Sequence, residues 1–263
     1  MFDAYILPFL LFAVLGLISG ILLTFCSRLF AVKTDEKVEE ISEALPQINC
    51  GSCGYSSCGG YAEALSKGDA PINLCKPGGD ATAKKISEIL GTAFEDVEET
   101  VAFVRCNGNC KATDDKFDYE GLQTCSAINL YYNGRGKCKY SCTGLGDCVK
   151  VCSYNAISIR NGIAVVDSSK CRACGLCFTA CPNNLIEMKP LSNPIAVRCH
   201  SDDEGKLVMS VCKNGCIGCK ICEKKCPQEA ITVKNNLASI DYQKCIACGI
   251  CANSCPVHCI TKA

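Results

Sequence analysis

The chain has 263 residues, of which 27 are cysteine, and its 27 basic and 27 acidic side chains give a formal net charge of zero. This balance does not favour nucleic acid or a polyanionic surface as the partner. Cysteine at this frequency would indicate disulfides in a short secreted chain, but runs of cysteines separated by two residues indicate metal centres instead. Because no long apolar run follows the N-terminus, the sequence favours small domains held together by metal over one large core.

The N-terminus, residues 1–28, is predicted to be a membrane anchor. Residues 4–25 carry no charge and are long enough to cross a hydrocarbon layer of roughly 30 Å as a helix. A cleaved signal peptide would have basic residues before this stretch, where the sequence has Asp3. Arg28 and Lys33 follow it, and the positive-inside rule then places the rest of the chain in the cytoplasm, where thiols stay reduced. We therefore expect a single-pass protein of the cell membrane with its cysteine-rich part on the cytoplasmic side.

Residues 29–80 are predicted to form a small helical module. Apolar residues recur at helical spacing over 35–45, and a second helix begins with Asp80 as its N-cap and ends before Gly91. Between the helices lies a C-x2-C-x4-C-x16-C motif formed by Cys50, Cys53, Cys58 and Cys75. This segment is too polar and too rich in glycine to be core, which points to a role for the thiols themselves.

The second half of the chain contains an internal repeat. Residues 156–171 match residues 230–245, an offset of 74 (230 minus 156). At this offset Cys125 corresponds to Cys199 and Cys138 to Cys212, while Cys219 faces Leu145. We expect residues 138–190 and 191–263 to form two ferredoxin-like domains, joined to the module by a helical, cysteine-containing connector over 81–137.

The later copy carries C-x2-C-x2-C-x3-C-P twice. This run is typical of ferredoxins with two four-iron clusters, in which the fourth cysteine of each run binds the other cluster. The predicted ligand sets are Cys216, Cys219, Cys222 and Cys255, and Cys245, Cys248, Cys251 and Cys226. Alternating apolar residues around Asn235 and Asn236 predict a hairpin that covers the clusters. A zinc site is disfavoured, because it would show separated C-x2-C pairs.

The earlier copy keeps one complete ligand set, formed by Cys152, Cys171, Cys174 and Cys177. The other set keeps Cys142, Cys148 and Cys181 but has Leu145 at the position of a ligand. The alternatives are a three-iron cluster or a four-iron cluster completed by Cys138, the nearest upstream thiol, and the second is favoured.

An additional cluster remains an open alternative. The tripeptide VRC occurs at both 104–106 and 197–199, which brings further thiols into consideration. The candidate ligands are Cys106, Cys110, Cys125 and either Cys199 or Cys212. The other interpretation is a set of buried free thiols beside the ferredoxin-like domains. Cys26 and Cys259 are interpreted as small apolar residues and not as ligands.

The stretch LPQINCGSCGYSSCGGYAEAL followed by CKPGG, together with the anchor and the ferredoxin runs, resembles the B subunit of the Rnf complex, a membrane-bound ion-translocating ferredoxin:NAD oxidoreductase. The resemblance implies that Cys50, Cys53, Cys58 and Cys75 bind a four-iron cluster, with glycines that let backbone N–H groups approach its sulfurs. Together with the internal repeat, by which the chain departs from the shortest family members and their single ferredoxin-like repeat, it predicts an α+β fold with a single N-terminal transmembrane helix, a small helical iron–sulfur module and two ferredoxin-like two-cluster domains. Five 4Fe–4S clusters follow, and the additional set would make a sixth.

The sequence shows no dinucleotide fingerprint or P-loop, which predicts an electron-transfer subunit that is not catalytic alone. The resemblance implies soluble ferredoxin as electron donor and other Rnf membrane and peripheral subunits as partners. The alternatives are a polyferredoxin subunit of another membrane oxidoreductase, such as a hydrogenase, and a metal-dependent scaffold without redox activity. Because soluble ferredoxins are usually acidic, lysines of the later copy predict the docking site, with electrons leaving through the Cys50–Cys75 set. These lysines are Lys213, Lys220, Lys224, Lys225, Lys234 and Lys244.

Overall fold

The structure, a computed structural model, describes residues 2–29 and 35–262. It begins with helix α1, Phe2–Leu29, and among the described residues this is the one helix long and apolar enough to cross a membrane. Its large apolar side chains from Phe9 to Phe25 are exposed, as expected of a helix whose surface meets lipid. Lys33, on which the predicted sidedness partly depends, lies outside the described residues.

Three helices form the module that follows, namely α2 (Glu36–Ala44), α3 (Cys58–Lys67) and α4 (Gly79–Leu90). Each helix contributes one large, fully buried side chain, Ile41, Tyr61 and Ile86, to a shared apolar core. The helix predicted over 35–45 is confirmed, and Asp35 caps it by accepting a hydrogen bond from the backbone of Lys37.

The start of α4 differs from the prediction. Gly78 is the N-cap, and Asp80 lies inside the first turn, where its carboxylate accepts a hydrogen bond from the Val97 amide at 2.9 Å. Asp80 therefore ties the helix to the segment that leaves the module. Because Ile86 of α4 belongs to the same core as α2 and α3, the packed module extends beyond residue 80.

The first ferredoxin-like unit contains two antiparallel two-stranded sheets. Its elements are β1 (Thr100–Val104), α5 (Cys125–Tyr132), α6 (Asp147–Lys150), β2 (Ile157–Arg160), β3 (Ile163–Val166), α7 (Leu176–Ala180) and β4 (Ile186–Pro190). Strand β1 pairs with β4, and β2 forms a hairpin with β3. Since β1 falls in the predicted connector, this unit begins well before residue 138.

The second unit repeats this topology. Its elements are β5 (Ile195–Val197), α8 (Gly205–Val211), α9 (Ile221–Lys225), β6 (Ile231–Lys234), β7 (Leu237–Ile240), α10 (Ile250–Ser254) and β8 (Ile260–Lys262). Strand β5 pairs with β8, and β6 with β7 as the predicted hairpin. Its turn residues Asn235 and Asn236 have φ values of 47° and 61°, the left-handed geometry that a two-residue turn between twisted strands requires.

The loop after β1 connects the two units. The Lys213 amide donates to the Ala112 carbonyl at 2.8 Å, and the Thr113 hydroxyl donates to the Val211 carbonyl at 2.7 Å. From the end of β5, the Arg198 guanidinium donates to the Cys106 carbonyl at 3.2 Å. These hydrogen bonds bring the ends of β1 and β5, each followed by a cysteine, to one interface.

Candidate iron–sulfur sites

The structure brings most of the cysteines together in six groups of four, which we number in the order in which they follow one another through the molecule. Site I comprises Cys50, Cys53, Cys58 and Cys75; site II, Cys152, Cys171, Cys174 and Cys177; site III, Cys125, Cys142, Cys148 and Cys181; site IV, Cys106, Cys138, Cys199 and Cys212; site V, Cys216, Cys219, Cys222 and Cys255; and site VI, Cys226, Cys245, Cys248 and Cys251.

The spacing of these thiols distinguishes between kinds of metal centre. Within the described ranges, no three or more histidine, cysteine, aspartate or glutamate side chains lie close enough to hold a single metal ion. In sites II, III, IV and VI the four cysteines instead border one cavity. A multi-iron group with four separate iron–thiolate bonds requires this arrangement, whereas a zinc ion requires four sulfurs at one point.

Site I is formed by the loops that precede α3 and α4. Cys58 is the first residue of α3, and its amide donates to the Asn49 side chain at 2.8 Å. The buried Tyr61 fixes the other loop, because its hydroxyl accepts from the Leu74 amide at 3.3 Å, one residue before Cys75. Burial, and to a smaller extent the other three thiols of the site, raises the pKa of Cys75 to about 11.

Site II lies beside site I. The Ser52 hydroxyl, in the loop of site I, donates to the Ala173 carbonyl in the loop of site II at 3.4 Å. Burial raises the pKa of Cys174, and among its neighbouring thiols Cys50 of site I raises it too. Tyr154 borders the site II cavity and lies near the thiols of Cys174 and Cys50. The module therefore contacts the first ferredoxin-like unit through its metal-site loop.

Sites V and VI bring together the crossed cysteine sets of the second unit. The residue after the second cysteine of each run has a left-handed φ, 59° at Lys220 and 79° at Gly249, which turns the chain around the site. Burial raises the pKa of Cys222 to about 11, and the other thiols of site V add to this effect. The second cysteine of each run, Cys219 or Cys248, is exposed, so both sites reach the protein surface.

The loop of site III keeps the ferredoxin backbone although Leu145 replaces a cysteine. Gly144 and Gly146 have φ values of 70° and 82°, matching the left-handed Gly218 and Lys220 of site V. A Cβ atom at Gly144 would lie 2.3 Å from the Gly162 carbonyl oxygen, so the loop packs directly on the β2–β3 turn. The loss of the thiol at this position has therefore not altered the fold of the loop.

The fourth cysteine of site III is Cys125 and not Cys138. The cavity bordered by the three retained cysteines is also bordered by Cys125, whereas Cys138 borders the separate cavity of site IV. The structure thus differs from the sequence-based assignment of Cys138 to this set. The physical reason is that chain proximity to Cys142 does not give spatial proximity, because the intervening turn directs Cys138 toward the second unit.

Helix α5 positions Cys125 at site III. Thr124 caps the helix by accepting from the Ala127 amide at 3.2 Å, which places Cys125 in the first helical position. The carboxylate of Asp147, at the start of α6, accepts hydrogen bonds from the backbone and side chain of Ser126 at 3.0 and 2.9 Å. These contacts join α5 to the helix that carries Cys148.

Site IV lies between the two ferredoxin-like units and takes two cysteines from each. Cys106 follows β1 and Cys199 follows β5. Each sulfur accepts a hydrogen bond from the backbone of the first cysteine in the adjacent run. The Cys142 amide donates to Cys106 Sγ at 3.4 Å, and the Cys216 amide donates to Cys199 Sγ at 3.2 Å. Burial raises the pKa of Cys106 to about 12 and that of Cys138 to about 11. Site IV is therefore an additional group of four thiols, whose members differ in part from the predicted ligand set.

Arg198 supplies positive charge at this interface. Its guanidinium borders the site IV cavity and donates to the Val104 and Cys106 carbonyls at 3.4 and 3.2 Å. Arg105, the matching residue of the first VRC tripeptide, instead pairs with Glu187. Burial lowers the pKa of Arg198, and the neighbouring thiols Cys106 and Cys142 oppose this. A cation there favours an anionic group in site IV.

Three cysteines remain outside the six groups. Cys110, which the sequence assigns to the additional cluster, is exposed and its amide donates to the Asn161 carbonyl at 3.0 Å. Cys26 lies in α1. Cys259 is buried in the core of the second unit, 3.6 Å from Cys255 between the two sulfurs. Its position agrees with the core role predicted for it.

The residues present fit iron–sulfur clusters. Thiolates are the ligands that these clusters prefer, and each group supplies four cysteines. Burial raises the pKa of Cys148 and of Cys177 to about 12, with neighbouring thiols adding to it. Because such thiols are protonated at neutral pH, metal binding must displace their protons, and loading therefore depends on pH.

Comparisons with known families agree with this geometry. Residues 137–185 and 215–260 each match a family described as "4Fe-4S dicluster domain", and residues 45–77 match one described as "Putative Fe-S cluster". The fold and its sites define an iron–sulfur electron-transfer protein built on two ferredoxin-like dicluster units.

Curated relatives narrow the class. The chain is 39% identical over 231 residues to the B subunit of the ion-translocating oxidoreductase complex of Methanosarcina acetivorans, covering 88% of each chain. It is 37% identical over 245 residues to the B subunit of the Na(+)-translocating ferredoxin:NAD(+) oxidoreductase complex of Acetobacterium woodii, covering 93% of this chain and 74% of the relative. It is also 37% identical over 241 residues to the B subunit of the proton-translocating complex of Clostridium ljungdahlii, covering 91% and 85%. The chain belongs to the family of Rnf complex B subunits.

Proposed function

We propose that this chain carries electrons from reduced soluble ferredoxin to the membrane partners of an ion-translocating ferredoxin:NAD oxidoreductase, and that sites I to VI each hold a four-iron cluster. The names of the Acetobacterium and Clostridium relatives support the overall reaction. When bound, each cluster supplies a one-electron centre. The observation that carries the proposal is the series of neighbouring sites from the module that follows α1 in the chain to the C-terminal unit.

Contacts between neighbouring sites support this series. The Ser52–Ala173 hydrogen bond connects sites I and II, and sites II and III share the first ferredoxin-like unit. Site IV then contacts both units through the sulfurs of Cys106 and Cys199. Sites V and VI share the second unit. Without site IV, the two ferredoxin-like units would have no centre between them.

The surface beside site VI supports it as the place where the donor docks. Cys248 is exposed, and the nearby Ile246 and Ile250 are 61% and 42% exposed, which gives an apolar centre. Helix α9, which packs against α10, carries the exposed Lys224 and Lys225, and its N-cap Lys220 is exposed too. An apolar centre with a basic rim suits an acidic protein that binds briefly and dissociates.

Replacing these three lysines together with glutamine is expected to slow reduction by ferredoxin roughly tenfold at low ionic strength, because steering by exposed charge acts on encounter. Raising the salt concentration should remove most of the difference. Stopped-flow reduction of the full-length protein across a salt series, followed by cluster absorbance, measures both effects.

The matched control replaces three exposed lysines of the module, Lys67, Lys84 and Lys85, with glutamine. It removes the same charge at the opposite end of the series and should leave the rate unchanged. Equal reduction rates in both variants would show that ferredoxin docks at another surface. Failure of ferredoxin to reduce the wild-type protein would instead refute the proposed donor.

The cluster-bearing part is proposed to be cytoplasmic, as the cations after the apolar stretch predict. In sealed right-side-out vesicles, added protease is expected to leave residues 35–262 intact. Inverted vesicles provide the control, because the same protease should digest these residues there. Digestion in right-side-out vesicles and protection in inverted ones would reverse the orientation.

A further inference from the structure

Thr143 carries a buried hydroxyl for which the described part of the chain offers no hydrogen-bond partner. The residue directly follows Cys142, is 3% exposed and borders the site III cavity. A buried polar group without a partner is uncommon in a folded protein, because it loses its hydrogen bonds to water and gains none in exchange. Such a hydroxyl indicates a partner that belongs in the cavity.

The surroundings of Thr143 are largely apolar. On one side Gly134 faces the methyl group, since a Cβ atom at Gly134 would lie 3.3 Å from Thr143 Cγ2. Around the cavity most side chains besides the four thiols are apolar, such as Ile159, Leu185 and Ile186, and the amide of the polar Asn183 donates to the Ser141 carbonyl at 2.7 Å. A group bound by the four thiols would place an acceptor in the cavity that the hydroxyl borders.

The hydroxyl distinguishes site III from the other ferredoxin-type sites. In sites II, V and VI the residue after the first cysteine of the run is Arg172, Ile217 and Ile246, respectively. Ile217 occupies the position equivalent to Thr143 in the repeat, and its side chain cannot donate a hydrogen bond. Among the differences between the two loops, Thr143 therefore provides a hydroxyl donor directly after the first cysteine, where the second copy has none.

We propose that the Thr143 hydroxyl donates a hydrogen bond to a sulfur of the cluster at site III and thereby raises its reduction potential. The inference depends on the proposed cluster at site III. A reduced cluster carries one more negative charge than an oxidised one, so a donor stabilises the reduced form more. Thr143 is a positioning residue that adjusts the electron affinity of a centre in the middle of the series.

The test is an EPR-monitored redox titration of the full-length protein and of Thr143→Val, which keeps the shape and removes the donor. The site III component is identified as the one that Cys125→Ala removes or converts to a three-iron signal. In Thr143→Val this component is expected to titrate at lower potential, with a severalfold smaller reduced fraction at a fixed ambient potential. Thr143→Ser, which keeps a hydroxyl, should restore the wild-type potential.

Thr82→Val is the matched control, because Thr82 is buried in α4 of the module, away from site III. An unchanged site III potential in Thr143→Val would overturn the proposal, and so would a serine variant that shifts as far as the valine variant. If the valine variant loses the cluster, Thr143→Ala provides the same measurement without the donor. A protein in which Cys125→Ala alters no component would instead refute the cluster assignment of site III.

Discussion

A Cys106→Ala variant is expected to lose one cluster and to stop electrons from passing between the two ferredoxin-like units. Site IV takes two cysteines from each unit, so removal of Cys106 leaves three ligands at an interface that no other site spans. Iron should fall by about four atoms per chain. Rapid-freeze EPR after mixing with reduced ferredoxin should show sites V and VI reduced and sites I to III still oxidised.

Two further variants test this result. Cys212→Ala removes a ligand of the same site from the opposite unit and should give the same iron loss and the same block. Cys110→Ala removes an exposed thiol of the same connector that belongs to no group, and should behave as wild type. Full iron content and rapid reduction of site I in both Cys106→Ala and Cys212→Ala would show that site IV holds no cluster.

Cys125→Ala is expected to convert site III to a three-iron cluster or to empty it, because Cys125 is the fourth thiol around the cavity, where Leu145 provides none. EPR of the oxidised protein detects a three-iron cluster directly, and iron analysis detects its loss. Cys138→Ala should leave the site III signal intact and remove the signal of site IV. The reverse pattern, with a three-iron signal only in Cys138→Ala, would restore the ligand assignment drawn from chain proximity.

Much of the fold follows from local patterns in the sequence. The helix over 35–45 combines helical spacing with an Asp35 cap, and the hairpin at Asn235 and Asn236 combines alternation with residues that tolerate left-handed φ. Strand β1 is different, because its partner β4 lies more than eighty residues away (Thr100 opposite Pro190). No local pattern indicates such a pairing, so the sequence-based boundary of the first unit lies too late in the chain.

The groups of cysteines likewise include some that local spacing predicts and others that depend on packing. Cysteines within one run are close because the loop is short, so their grouping is readable from spacing alone. Cys125 and Cys138 are brought to their sites by helix α5 and by packing between units. The constant offset of the repeat aligns Cys125 with Cys199, whereas the structure makes Cys106 the counterpart of Cys199, since both follow the first strand and accept from the first cysteine of a run. The repeated VRC tripeptide is the signal in the sequence that could reveal this equivalence.

Site IV, which the two units share, affects how many four-cysteine groups the second copy of the fold adds. A chain that ended after β4 would have all the cysteines of sites I, II and III but only Cys106 and Cys138 of site IV. The second unit adds all the cysteines of sites V and VI, and its Cys199 and Cys212 complete site IV. One additional copy of the domain therefore yields three four-cysteine groups instead of two, and the third forms only while both copies are folded and in contact. The presence of site IV therefore indicates that both ferredoxin-like units are folded and packed against each other.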